Sequence, residues 1–361
     1  MSSSGHIAGS ARAGTELTNS GAIGGGANAG TALTNNGGTI VGSATATELT
    51  DKGGTIGGTA TATTGALVNA GLITGLADAK TSVTNSGAIG GGASAGSALT
   101  NNGGTIVGSA TATELTNNGG TIVGTATATT GALVNAGLIT GLADAKASLT
   151  NSGSIGGGAS AGTALTNNGG TIVGSATATE LTNTGGTIVG NATATTGALR
   201  NDGKITGTAD AKTSVTNSGA IGAGAKAGTE MLNTGSGTIT GYASAGTTLT
   251  NSGGTIVGNA TAITGALLND GKITGTADAK TSVTNSGAIG GGASATTITN
   301  SGHIGAAPGL VEVSAATLIN TGTIGYQRPA DAQTATDTPG ASTSTSASTS
   351  TTKRSHRPNP R

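Results

Sequence analysis

Isoleucine returns along this chain at Ile7, Ile23, Ile40, Ile56, Ile73, Ile89, Ile106 and Ile122 and so on to Ile324, at spacings that alternate between 16 and 17 residues over most of the length. A short unit repeated this often buries its apolar face against its neighbours and not in a shared central core. Within a unit, Leu17-Thr18-Asn19-Ser20-Gly21-Ala22-Ile23 alternates apolar or Asn positions with small polar ones, the period-two signature of strand. Leu17 and Ile23 are therefore expected to point inward. The next segment, Ala44-Thr45-Ala46-Thr47-Glu48-Leu49 in one copy and Ala77-Asp78-Ala79-Lys80 in another, alternates too, with alanine on the inner side. Glycines two before each isoleucine (Gly21, Gly38, Gly54, Gly71) and two after it (Gly25, Gly42, Gly58, Gly75) predict corners that need positive φ or close backbone approach. Helix is disfavoured, because glycine fills nearly a fifth of the positions, threonine is abundant and no 3.6-residue stripe is present.

The predicted fold class is all-β: a single-stranded parallel β-helix, or β-solenoid, of about 20 rungs of 16-17 residues. The handedness of parallel crossovers predicts right-handed coiling. A left-handed hexapeptide helix would need apolar residues every six positions, whereas the Leu-to-Ile steps here are 6 to 7 and the Ile-to-Leu steps 9 to 11. At roughly 4.8 Å per rung the stack makes a rod on the order of 100 Å long.

A longer repeat lies above the short one. Residues 18–83 return almost unchanged as 84–149 and 150–215, and as a more diverged copy at 216–283, each block holding four units. Residues 1–17 form incomplete first rungs, and 284–326 form degenerate terminal rungs in which Pro308 and Val311-Glu312-Val313 break the pattern. Residues 327–361 are Ser/Thr-rich with a basic end and no apolar periodicity, the composition of a disordered tail. The opening Ser4-Gly5-His6-Ile7 reproduces Ser301-Gly302-His303-Ile304, so the chain starts in mid-unit and is expected to be truncated.

The most constant polar residue of the array is the asparagine of Leu-x-Asn: Asn19, Asn35, Asn69, Asn85, Asn101, Asn117, Asn135 and Asn151, continuing to Asn320, with Asp51 the one acidic replacement. By parity it shares the inward face of the preceding leucine. Stacked asparagines can donate and accept along the coil as an amide ladder, which satisfies groups costly to bury. The alternative is a corner residue tolerating left-handed geometry. Both readings are structural.

Composition narrows the function. There is no Phe, Trp or Cys and there are two tyrosines, Tyr242 and Tyr326, so a large compact core is not expected, nor are disulfides or thiolate metal sites. Fifteen basic and fifteen acidic residues cancel, which removes the electrostatic case for nucleic acid. No apolar run approaches the length of a membrane helix, so no membrane insertion by this chain is expected. No basic-then-apolar export signal opens the chain.

The strings VTNSGAIGGGAS from Val83, LTNNGGTIVGSA from Leu33 and again from Leu99, and LVNAGLITGLA from Leu67 resemble the β-helical passenger repeats of bacterial autotransporters and of filamentous-haemagglutinin-like surface adhesins. The resemblance covers about 5–326 and is one of repeat style. It implies a secreted rod displayed at the outer membrane, whose partner is a ligand on a host or neighbouring cell surface. The signal sequence and the aromatic-girdled membrane barrel of that family do not occur in these residues.

Catalytic chemistry is not expected. His6, His303 and His356 are far apart in the chain, so no His-based triad or metal cluster assembles locally. Asp78/Lys80, Asp144/Lys146, Asp210/Lys212 and Asp278/Lys280 recur once every four rungs, roughly 19 Å apart, beyond the ~10 Å within which paired carboxylates cooperate. Gly24-Gly25-Gly26 lacks the Lys-Ser/Thr of a phosphate loop. The expectation is a non-enzymatic rod with no cofactor, metal or small-molecule substrate.

One alternative stands beside it. Thr45 and Thr47, Thr61 and Thr63, Thr111 and Thr113, and Thr127 and Thr129 put spaced threonines on an outward face, as in ice-binding β-solenoids. The rows hold for two rungs and then meet Asn28/Gly30, Ser94/Gly96 or Asp78/Lys80, and threonine is also a favoured exposed strand residue.

Overall fold

The computed structural model describes residues 1–305 and 311–325. It is a β-solenoid in which each rung contributes three short strands, exemplified by Glu16–Asn19, Ala22–Ile23 and Ala27–Ala29. We call these the Leu/Asn, Ile and Ala strands. Each pairs in parallel and in register with its counterpart one rung on: Leu17 with Leu33 and Asn19 with Asn35, Ile23 with Ile40, Ala27 with Ala44. The Ile ladder alone has twenty strands. Its end strands, His6–Ile7 and Thr323–Ile324, pair only with their inner neighbours, so the ladder is an open stack. The stretch 327–361 and Pro308 lie outside the described residues.

Five side chains per rung turn inward. In the Ile122 rung they are Leu115, Asn117, Ile122, Ala126 and Ala128, all 0–1% exposed. The Ala strand explains why the chain dispenses with aromatics. Its methyl groups face the leucine and isoleucine across a coil one side chain thick, and a larger group repeated on every rung would force the strands apart. Alternation along each strand leaves Thr, Ser and Asn outside, where a solvated sheet face needs them.

Rung length varies only at the corners. Leu to Asn is always two residues, Ile to the first Ala four on every rung up to Ile289, and Ala to Ala two, while the Asn-to-Ile corner runs four, five, five and four residues through the block 18–83. The corner from the second Ala to the next Leu or Val runs four, three, five and four. The super-repeat is thus a register of corner lengths. In the fourth block both extra residues fall in corners, one in Asn233–Ile239 and one between Ala245 and Leu249.

The longer Asn-to-Ile corners place their added residue in left-handed backbone. Gly37, Gly53, Gly103, Gly119, Gly169, Gly185 and Gly253 adopt φ of 65 to 77°, and no atom outside their chain neighbours crowds a Cβ built there, apart from distant contacts beyond 3.5 Å at Gly253. These corners stack in adjacent rungs, bridging Asn36 to Gly53 and Asn102 to Gly119. The sequence pattern had marked the glycines two before and two after isoleucine instead. Those glycines answer to close approach and not to φ: a Cβ at Gly54 would overlap the Asn35 amide and crowd the Gly38 carbonyl, and one at Gly58 would press on the Ser43 and Gly42 backbone. Near the C-terminal end of the described stack the Ala and Leu/Asn strands fuse into Ala293–Asn300 and Val313–Asn320, which pair over most of their length.

Because each rung touches only its neighbours, damage should stay local. Ile106→Ala removes a fully buried side chain and is expected to cost about 2–5 kcal/mol. Native-state hydrogen exchange should show the loss of protection concentrated in the Ile89, Ile106 and Ile122 rungs. Uniform loss along the whole rod would contradict the rung-by-rung description.

Candidate functional site

From Asn69 onward the inward polar column is a continuous amide ladder. Asn69 Nδ2 donates to Asn85 Oδ1 at 2.7 Å, Asn85 to Asn101 at 2.8 Å, Asn101 to Asn117 at 2.9 Å and Asn117 to Asn135 and Asn135 to Asn151 at 2.8 Å. The chain of bonds runs on unbroken to Asn320. Each amide also donates to carbonyls of its own corner and the next: Asn117 Nδ2 reaches Gly120 O at 3.0 Å and Leu138 O at 3.3 Å. One side chain therefore ties two successive Asn-to-Ile corners together, whichever length they have. At the first rung Ser3 stands in the column, opposite Asn19.

The ladder has one fault. Asn19 donates to Asn35, and Asn35 to Asp51 Oδ1, both at 2.9 Å, but Asp51 has no amide with which to continue to Asn69. Its Oδ1 is satisfied by Asn35 and by Gly54 N, whereas Oδ2 is buried without a partner. That oxygen occupies the place where Asn117 Nδ2 in the next block faces three acceptors. Burial pushes the Asp51 carboxyl above its ordinary value of 3.8, opposed in smaller measure by the Asn35 and Gly54 hydrogen bonds. The folded state therefore holds the proton more tightly than the unfolded chain. Stability from this group is fully present below about pH 3.8 and is lost as pH rises through the folded value.

The outward threonines divide into two kinds. Thr45, Thr61, Thr111 and Thr127 sit at the centre of Ala strands and pair as Thr45 with Thr61 and Thr111 with Thr127. Each row is flanked by other chemistry, Asn28 and Asp78 in one case and Ser94 and Asp144 in the other. Thr47, Thr63, Thr113 and Thr129 lie beyond the strand ends. Their hydroxyls donate to main-chain carbonyls of the preceding rung, at Gly30, Ala46, Gly96 and Ala112, at 2.7–3.1 Å. Half of each Thr-x-Thr doublet thus pins a corner.

Two outward surfaces were not singled out in the sequence, although strand parity marks them. The middle position of Leu-x-Asn stacks as Thr18, Thr34, Thr50, Val68, Thr84, Thr100 and Thr116 and continues in Thr and Val to Thr182, where Arg200 follows. The residues flanking each isoleucine form the other, which carries exposed aliphatics including Val107, Val123, Leu138 and Leu142.

Ionisable groups remain scattered. Among the described residues no group of three or more His, Asp or Glu could hold a metal, and one ion pair is present, Arg200 with Asp202 at 2.8 Å on the surface. A depression of about 310 Å³ on the Leu/Asn face, lined by Thr216, Glu230, Leu232 and Thr250 among others, contains one carboxylate and no second ionisable group. No family model matches the chain, and neither a curated protein nor a solved structure matches it significantly.

Asp51→Asn should close the fault. At neutral pH it is expected to stabilise the first rungs by about 1–3 kcal/mol, with the gain shrinking as pH falls through the raised folded value of Asp51 toward 3.8 and levelling off below it. Exchange protection at Asn69 and neighbouring amides, followed against pH in both proteins, checks this. The converse change, Asn117→Asp, should introduce the same pH dependence one block further on.

Proposed function

We propose that the chain is a non-enzymatic structural rod acting at a bacterial cell surface, as the passenger of an autotransporter-like adhesin does. The observation that carries this reading is the unbroken register of three parallel ladders over some twenty rungs, which gives a length of about 95 Å. The repeat style of the Leu-x-Asn…Ile units adds to it. Reach is what such a stack supplies, and the four-rung block brings back some outward groups, such as Asp78/Lys80 and their counterparts to Asp278/Lys280, at intervals of about 19 Å. Weak contacts repeated on one rigid body add up through effective concentration. The ligand would lie on a host or neighbouring cell, and no nucleic acid, cofactor or small-molecule substrate enters this reading.

Antibodies raised against the purified rod are expected to label intact cells of the source organism and to inhibit their attachment. Labelling that appears only after lysis would overturn the surface assignment.

A second reading, an ice-binding solenoid, is favoured by the Thr/Val column from Thr18 to Thr182, which is longer and less interrupted than the Thr45 rows. It predicts thermal hysteresis in the purified rod that Thr100→Lys abolishes. Absence of hysteresis would retire it.

A further inference from the structure

The face built on the Ile strands differs from the rest of the rod in charge. Through eleven consecutive rungs, Ile23 to Ile188, the residue before each isoleucine and the three after it are all uncharged. Lys204 ends the run on the C-terminal side. Eleven rungs by five residues is a surface about 50 Å long and about 15 Å wide, on the order of 750 Å². A standard interface covers about 800 Å² on each partner, so the face has the area that a stable pairing needs.

The relief of this face follows the four-rung block. One rung carries a ridge, Leu72 and Leu76 in the first block and Leu138 and Leu142 in the second, each 38–56% exposed. The very next rung is a hollow of small residues, Ala88 with Gly90–Gly92 and Ser154 with Gly156–Gly158. We propose that this face mediates antiparallel, side-by-side pairing of two copies of the rod, about a two-fold axis between the Ile106 and Ile122 rungs.

That axis uses each exposed aliphatic group on the face. It sets Val107 against Val123 of the second copy, and reciprocally, at the centre. On the second rung out from the axis the Leu138 ridge enters the hollow at Gly90–Gly92 of the second copy, and on the third the Leu72 ridge enters that at Gly156–Gly158. Val173 falls opposite Gly57, and Val41 opposite Val189 at the rims. Ten rungs are covered, and the axis is isologous, so each contact occurs twice. Lys204 then lies at the rim, opposite the Ile23 rung and outside the ten covered rungs; moving the axis two rungs toward the C-terminus would carry it onto the Ala88 hollow inside the interface, where an unpaired ammonium would be desolvated. A partner of other origin would need its own relief at four-rung intervals, which a second copy possesses by construction.

The test is the oligomeric state of the full chain by sedimentation equilibrium, across micromolar concentrations and in low and high salt. Dimers that persist in high salt are expected, because no ion pairs hold the interface. Val107→Glu, at an exposed position following the strand, should shift the chain to monomer with unchanged circular dichroism and melting, whereas Val257→Glu, on the same column beyond Lys204, should leave the dimer intact. Because the chain has no native cysteine, single cysteines can carry spin labels. Labels at position 105 of two copies should lie close together and labels at position 39 about 43 Å apart along the rod, nine rungs at the inter-strand spacing. A monomer at every concentration, a dimer indifferent to Val107→Glu, or labels close at both positions would each overturn the proposal.

Discussion

Like stacks on like in this molecule, and the rest of the structure follows from that constraint. In a parallel in-register ladder the neighbours of any inward side chain are its own counterparts one rung away. Leucine meets leucine or valine, alanine meets alanine, and asparagine meets asparagine. Such a column selects residues that can pack or bond with copies of themselves. Asparagine qualifies because its amide both donates and accepts, so every link restores the condition for the next one. An ionised carboxylate does not qualify, since it only accepts. Asp51 shows the consequence of breaking the rule once, a buried oxygen facing acceptors with no donor among them.

The same constraint divides the rod into a conserved interior and a variable exterior within a single chain. Inward columns barely change over four blocks, while the rung holding Val68 and Leu72 in the first block carries Arg200 and Lys204 in the third. Length variation is confined to corners, because a residue added inside a strand would turn its inward side chains outward. An added residue in the Asn-to-Ile corner needs left-handed backbone, and glycine supplies it. Pairs of such corners lie on adjacent rungs, where each can bridge the other.

Function on a scaffold like this has to be written on the outside, in columns. Where a column keeps its character over many rungs, as Thr and Val do beside the buried leucines, it gives the rod a face. Where it changes every four rungs, it gives a pattern with a period of about 19 Å. The absence of charge along the Ile face from Ile23 to Ile188 belongs to the first kind of information, and its alternation of ridge and hollow to the second.

Much of this was legible in the residues. Isoleucine spacing gave the rungs, strand parity gave the inward leucine, alanine and asparagine, and the block boundaries came from near-identity. Those features are periodic, and periodicity survives in one dimension. What the residues alone could not decide is which positions on different parts of a rung become neighbours. Of the two roles open to the glycines beside isoleucine, close approach holds, and left-handed backbone falls to other glycines such as Gly37 and Gly53, because φ depends on how many residues a corner must span between two strands already held in register. The Thr-x-Thr doublets look equivalent along the chain, yet one member faces outward from a strand and the other bonds a carbonyl of the preceding rung. Stacking, which brings residues 15 to 20 apart into contact, decided these assignments. The sequence by itself determined that there would be a rod and what would fill it, since burial of a repeated apolar pattern admits little else. Only the tertiary structure decided which outward residues form continuous faces and where the buried ladder fails, because both depend on registration between rungs.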